Sequence, residues 1–228
     1  MRFSGSHFFM RLGQHFNRNL IGKFKLASKG LEIGYLVRQL GFKMGDVKNW
    51  AEDRTELFDM VGREVGDREV LYLEFGVHEG EATRYWSKLL TNPNSKLHGF
   101  DSFEGLPEDW HSQMPKGHFS TNGRMPVIDD ERVQFFKGWF DQTLPAYQVP
   151  EHEVLVLNFD ADLYSSTLCA LQNLAPHIVP GTYLYFDEFP DAMHELRAFA
   201  EFCSSSPRKF VLRGATTSLI SALFQCVQ

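Results

Sequence analysis

Acidic side chains recur where apolar runs stop. Asp160 and Asp162 follow "VLVLNF", and Asp187 and Glu188 follow "YLYF". If those runs are neighbouring parallel strands, about 4.8 Å apart, the acids at their ends converge. Carboxylates without histidine or cysteine suit a hard divalent cation such as Mg2+, whose shell waters and substrate oxygens complete. Without a cation their mutual repulsion is costly. Another acid, Glu74, sits in "LYLEFGVHEG" ahead of Gly76 and Gly80. A dinucleotide-binding turn reads G-x-G-x-x-G and lays helix amides against a pyrophosphate. Here His78 replaces the middle glycine, and Glu74 would repel a phosphate. The stretch therefore predicts a nucleotide-like cofactor that carries positive charge and no phosphate. Asp101 lies 21 residues after Gly80, close to the spacing at which an acid meets ribose hydroxyls, and a carboxylate can accept from both. Ser102 and Phe103 follow it, and Gly138, Trp139 and Phe140 end the next run. Phe103, with Trp139 or Phe140, would wall an adenine ring. Adjacent residues on a strand face opposite ways, so only one of that pair is expected to be free.

The elements that must position these residues show in the apolar pattern. Runs bounded by turn residues occupy 70–77, 96–103, 132–138, 153–160, 182–187, 209–213 and 218–225, with helical stretches at 81–90, 163–179 and 190–203. This alternation predicts an α/β fold with a mostly parallel seven-stranded sheet and helices on both faces. The last two runs read as a C-terminal antiparallel hairpin. Ligands of such sheets bind beyond the carboxyl ends of the strands, near the switch in strand order. Glu74, Asp101, Gly138, Asp160 and Asp187 fall there. An acid after a strand also caps turns, but four on one sheet edge favour a binding site. Residues 33–66 read as helical, with Asp53 or Thr55 as caps. The segment 1–66 is expected to form an N-terminal helical arm and cap, part of the same domain as 67–228. The excursion 104–131 is long enough to be functional and reads as a lid or substrate wall, with Arg124 as a candidate substrate contact.

A chain of 228 residues, 43% hydrophobic, supports one domain with a full core. The net charge of −6 disfavours nucleic acid. No apolar run approaches the ~20 residues of a membrane span, and no compact apolar segment near the start reads as a secretory signal. Cys169, Cys203 and Cys226 are too widely spaced for a zinc site or disulfide frame, which points to a reducing, cytoplasmic setting. Residues 1–31 hold six basic residues and no acid, with Phe8, Phe9, Leu12, Phe16, Leu20, Ile21 and Phe24 at roughly helical spacing. This predicts an amphipathic arm packed on the domain or on a second subunit of a homodimer; a membrane-surface or targeting role is the alternative.

With Glu74, Gly76 and Gly80 after an apolar strand, the chain resembles the class I S-adenosylmethionine-dependent methyltransferases. Their sulfonium cofactor is cationic and lacks phosphate, as Glu74 requires. The stretch "FDADLYSST", then "PGT", then "DEF", is similar to the macrocin O-methyltransferase (TylF/MycF-like) branch. The likeness extends through "GFDSFEGLPEDW" and "FFKGWFDQTLP" and covers about residues 70–190. It implies a Rossmann-like class I methyltransferase fold with an N-terminal helical extension and S-adenosylmethionine as cofactor. It also implies O-methylation of a small-molecule acceptor, a sugar or other vicinal diol of a natural product, with Mg2+ assistance. Asp160, Asp187 and Glu188 would hold the metal, and Asp160 or His118 would take the hydroxyl proton. The chain departs from the branch at Glu188 and Phe189, where Asp and Tyr are usual, and "FGVHEG" lacks the Trp-Arg pair that often follows Val. Two alternatives stand beside this reading: a metal-independent methyltransferase on the same fold, and a cofactor-binding partner protein without catalysis. A dehydrogenase would need the missing G-x-G turn.

Overall fold

Two neighbouring strands with every residue buried lie in the interior of the sheet, because a strand covered on both faces is apolar at nearly every position. They are β2 (Val70–Phe75) and β5 (Val154–Phe159), paired in parallel so that Glu74 lies beside Asn158. The computed structural model describes residues 47–228 together with 27, 28, 30, 31, 33–35 and 37–42. In chain order its other elements are β1 (Trp50–Ala51), α1 (Arg54–Val65), α2 (Glu81–Leu89), β3 (Lys96–Asp101), β4 (Val133–Lys137), α3 (Phe140–Thr143), α4 (Tyr164–Leu174), β6 (Tyr183–Phe186), α5 (Glu195–Ser205), β7 (Phe210–Thr216) and β8 (Ala222–Cys226). The sheet order is β1-β7-β8-β6-β5-β2-β3-β4. Among the described strands only β8 runs antiparallel to its neighbours, so the C-terminal hairpin is present.

The period-2 alternation of the strands sorts side chains into two cores. Leu71, Leu73, Phe75, Leu157, Phe159 and Phe186 pack under α4 and α5 with Leu171, Phe199 and Phe202. Val70, Tyr72, Val156, Tyr183 and Tyr185 pack under α1 and α2 with Leu57, Phe58, Val61 and Trp86. Glu74, Asp160 and Asp187 continue the second set along β2, β5 and β6, on the side that α1 covers.

Two expectations need correction. Among the described residues the sheet has eight strands, not seven: Trp50–Ala51 adds a two-residue parallel edge beside β7, too short to show any apolar period. The span 33–66 is not one helical stretch. Helical backbone occurs within 27–39 and again in α1, with β1 between them. Asp53 is the N-cap of α1, its Oδ1 accepting from the Thr55 and Glu56 amides at 2.8 and 3.4 Å. The basic arm over 1–31, and the dimer contact assigned to it, fall almost wholly outside the described residues. Among the described residues the three cysteines are free, and no helix is long and apolar enough to cross a membrane.

Candidate active site

Beyond the carboxyl ends of β2, β3, β5 and β6 lies a cavity of about 720 Å³, within the range of small-ligand sites. Its charge is one-sided. Glu74, Glu79, Glu81, Asp101, Asp141, Asp160, Asp162, Asp187 and Glu188 line it, against Arg54 and Lys116.

The floor is a buried polar chain. Asn158 Nδ2 donates to the Tyr72 hydroxyl (2.8 Å), which donates to Glu74 Oε2 (3.0 Å); the Thr83 hydroxyl on α2 donates to the same oxygen (2.5 Å). Glu74 is 1% exposed. Burial pushes its carboxyl up to about 7, although both hydrogen bonds favour the anion. The turn above it is tied down by Asp101. Asp101 Oδ2 accepts from the Val77 and His78 amides at 2.8 Å each, and Oδ1 accepts from the Phe103 amide at 2.7 Å. His78 adopts a left-handed φ of 49° in the place a dinucleotide motif gives to glycine.

The acids of β5 and β6 are held by two residues that sequence reasoning missed. Arg54, the first residue of α1, places Nη1 3.4 Å from Asp160 Oδ2 and 3.6 Å from Asp187 Oδ1, and Nη2 3.3 Å from Glu81 Oε2. Burial opposes its charge, yet Asp187 and Asp160 raise its pKa above the ordinary value. Glu195, fully buried at the start of α5, accepts from the Ala161 amide through Oε1 (3.4 Å) and from the Glu188 amide through Oε2 (3.1 Å). It thereby ties the two acid-bearing strand ends together. Asp187 Oδ1 also accepts from the Tyr185 hydroxyl at 2.5 Å. Asp160 is held well above the carboxylate range by burial first and then by Asp187 and Asp162, with Arg54 opposing. Burial, with Glu188 and Asp187, pushes Asp162 up to about 7.

The model of the macrocin O-methyltransferase (TylF) family matches residues 69–207. The chain belongs to that family. The 8-demethyl-8-(2,3-dimethoxy-alpha-L-rhamnosyl)-tetracenomycin-C 4'-O-methyltransferase of Streptomyces olivaceus is 34% identical, over 42% of this chain and 45% of that protein. Demethyldecarbamoylnovobiocin O-methyltransferase of Streptomyces niveus is 41% identical, over 43% and 45%. The match thus spans under half the length of these relatives. Among solved structures, the calicheamicin methyltransferase CalS11 superposes with TM-score 0.59 at 20% identity, covering 86% of this chain and 91% of that one. The O-methyltransferase NovP gives 0.57 at 17%, covering 88% and 100%. These likenesses establish the class I methyltransferase fold.

In this TylF-family chain the predicted residues divide. Glu74, Gly76, Asp101, Ser102, Trp139, Phe140, Asp160, Asp187 and Glu188 all line the one cavity. Trp139 and Phe140 both reach it because β4 has already ended: Trp139 caps α3 and Phe140 begins it. The one-free-ring expectation assumed a strand and is corrected. Phe103 is also corrected. It is 1% exposed, away from the cavity, because its φ of 59° turns the ring inward to Phe135. Gly138 and Gly80 do not line the cavity. Gly138 donates its amide to the Asp101 carbonyl, and Gly80 starts α2 with φ 77°. His118 is not in the cavity wall either. The turn from Pro115 to His118 presents Lys116 and Phe119 instead, with the His118 ring edge-on to Phe119. Arg124 is exposed and donates to the Thr121 carbonyl within its own loop.

The excursion 104–131 does form a wall: Leu106, Pro107, Trp110, Met114 and Phe119 face the cavity. It is docked by the Ser165 hydroxyl donating to Glu108 (2.6 Å) and by Trp110 against His194. Among the described residues no three His, Cys, Asp or Glu side chains stand close enough, as placed, to hold a metal ion.

The raised Glu74 carboxyl has a measurable consequence. The folded chain holds this proton more tightly than the unfolded chain, whose glutamate titrates near 4.5. The resulting stability is full below pH 4.5 and lost as pH rises through about 7. That loss amounts to about 3 kcal/mol. Asp162 titrates in the same direction. Thermal melts without ligand should therefore show falling stability from pH 5 to 8, and Glu74→Gln should flatten the slope. An unchanged slope in that variant would mean Glu74 is ionised throughout.

Proposed function

We propose that this protein transfers a methyl group from S-adenosylmethionine to a hydroxyl of a small molecule, a sugar or other vicinal diol of a natural product, with divalent-metal assistance. The observation that carries the cofactor is the acid-lined cavity beside the Gly76 turn. Such a field repels phosphate and favours a ligand with a sulfonium and an ammonium group. Family membership supports the reaction class. Asp101 retains lone-pair capacity for a ribose hydroxyl beyond the three amides it accepts, and Trp139 and Phe140 offer apolar surface to an adenine.

S-adenosylmethionine supplies the electrophilic methyl group, and a divalent cation would polarise the acceptor oxygens and favour the alkoxide. Asp160, Asp187 and Glu188 would hold that cation. Their oxygen-only donor set fits a hard ion, and a cation would offset both the burial and the neighbouring acids that raise Asp160. Asp160 accepts the hydroxyl proton. It stands beside Asp162 and Asp187 in the cavity wall, and proton removal by a side chain positioned there is ordinary general-base catalysis. The docked wall over 104–131 excludes water and fixes the acceptor. The Trp110 indole N–H is buried without a partner among the described residues, a donor that a hydroxylated acceptor would satisfy.

A metal-independent reading on the same fold is favoured by one observation: Arg54 already pairs with Asp160 and Asp187. Calorimetric titration with S-adenosylmethionine, followed by a screen of sugar-bearing acceptors with and without EDTA, separates the readings. Cofactor binding that survives EDTA, with turnover lost in EDTA and restored by Mg2+, is the expected result. Full turnover in EDTA would select the metal-independent reading. Absence of cofactor binding would overturn both.

A further inference from the structure

The acid cluster already has a cation of its own. Arg54 occupies the first position of α1, where the helix dipole disfavours positive charge. Capping is done by Asp53, so the guanidinium meets no need of the helix. It instead crosses to the sheet, contacting Asp160 at the end of β5 and Asp187 at the end of β6 through one nitrogen. Its other nitrogen lies 3.3 Å from Glu81, whose side chain is 77% exposed at the start of α2. A single side chain thus touches two carboxylates inside the site and one at its rim. We propose that Arg54 is the resident counter-ion of Asp160 and Asp187 and competes with a divalent cation for them. Entry of the cation displaces the guanidinium toward Glu81. The inference rests on the metal-assisted reading above.

Two physical points support the exchange. A hard cation binds carboxylate oxygens at about 2.0–2.6 Å, and a guanidinium left 3–4 Å from the same oxygens would face a doubly charged neighbour across a partly buried gap. Moving Nη1 away also costs little, because Nη2 is already at Glu81 and the side chain is 32% exposed. Arg54 is thus a positioning residue that sets how tightly the site takes metal.

The test titrates the full-length protein with Mn2+, followed by paramagnetic resonance at neutral pH without cofactor, in wild type, R54Q and R54K. R54Q should bind Mn2+ at least about tenfold more tightly, and R54K, which keeps the charge but loses the planar fork, by a smaller factor. A guanidinium that merely staples α1 to the sheet predicts otherwise: R54Q would melt at lower temperature with wild-type Mn2+ affinity, and that result overturns the proposal. Weaker Mn2+ binding in R54Q overturns it too. If neither wild type nor R54Q binds Mn2+, the metal-assisted reading itself fails and the competition falls with it. Equal, measurable affinities would sink the competition alone.

Discussion

Gly76→Ala is expected to eliminate S-adenosylmethionine binding and to destabilise the fold by about 2–5 kcal/mol, the sum of left-handed strain and overpacking. Gly76 has φ 92°, and a Cβ there would lie 1.8 Å from the Asp160 carbonyl oxygen and 2.7 Å from its carbon. Those atoms are backbone, so no rotamer change relieves the clash. The Asp160 amide donates to the Phe75 carbonyl at 2.9 Å and the Gly76 amide to the Phe100 carbonyl at 3.0 Å. An alanine must therefore pry β2 from β5 where the cavity floor is built. Calorimetry and thermal melting read the two effects separately. Wild-type cofactor affinity in this variant would show that the turn does not shape the cofactor site.

Asp160→Asn should reduce methyl transfer by about 10³-fold, within the usual contribution of a positioned base, while leaving cofactor affinity within about twofold. Asparagine keeps the shape of aspartate but can neither accept the hydroxyl proton nor lend a cation a carboxylate charge. The loss should appear in single-turnover rates as well as in steady-state kcat, since it falls on the chemical step. The Tyr72–Glu74–Thr83 chain and the Asp101 turn remain in place, which is why binding is expected to persist. A variant retaining more than about a tenth of wild-type turnover would remove Asp160 as the base and point to another cavity acid, with Asp162 the nearest in sequence.

The two predictions draw on different depths of information. The strands that meet at Gly76 could be read from the chain because a strand buried on both faces has to be a continuous apolar run. An acid or glycine directly after such a run lies at the carboxyl edge by topology alone. Glu74, Asp101, Asp160 and Asp187 were legible for that reason, and so was the resemblance carried by "FDADLYSST". Phe103 and His118 were not. Whether a loop side chain faces the cavity depends on single dihedrals, such as φ 59° at Phe103 and φ 64° at Phe119, and no pattern of residue types encodes them. Trp139 and Phe140 turned on where β4 stops, a matter of one or two residues.

Arg54 and Glu195 mark the boundary most clearly. In the sequence Arg54 is a basic residue beside a capping aspartate, 106 positions from Asp160, and Glu195 is an ordinary first-turn glutamate of an amphipathic helix. Composition and period determined that a parallel α/β sheet would form and that its carboxyl edge would be acidic. Only the packing of α1 and α5 against opposite faces of that sheet decided which charges meet there. Strand parity sends Asp160 and Asp187 toward α1, and the direction in which each helix crosses is set by side-chain interlock across the cores rather than by any local run of residues.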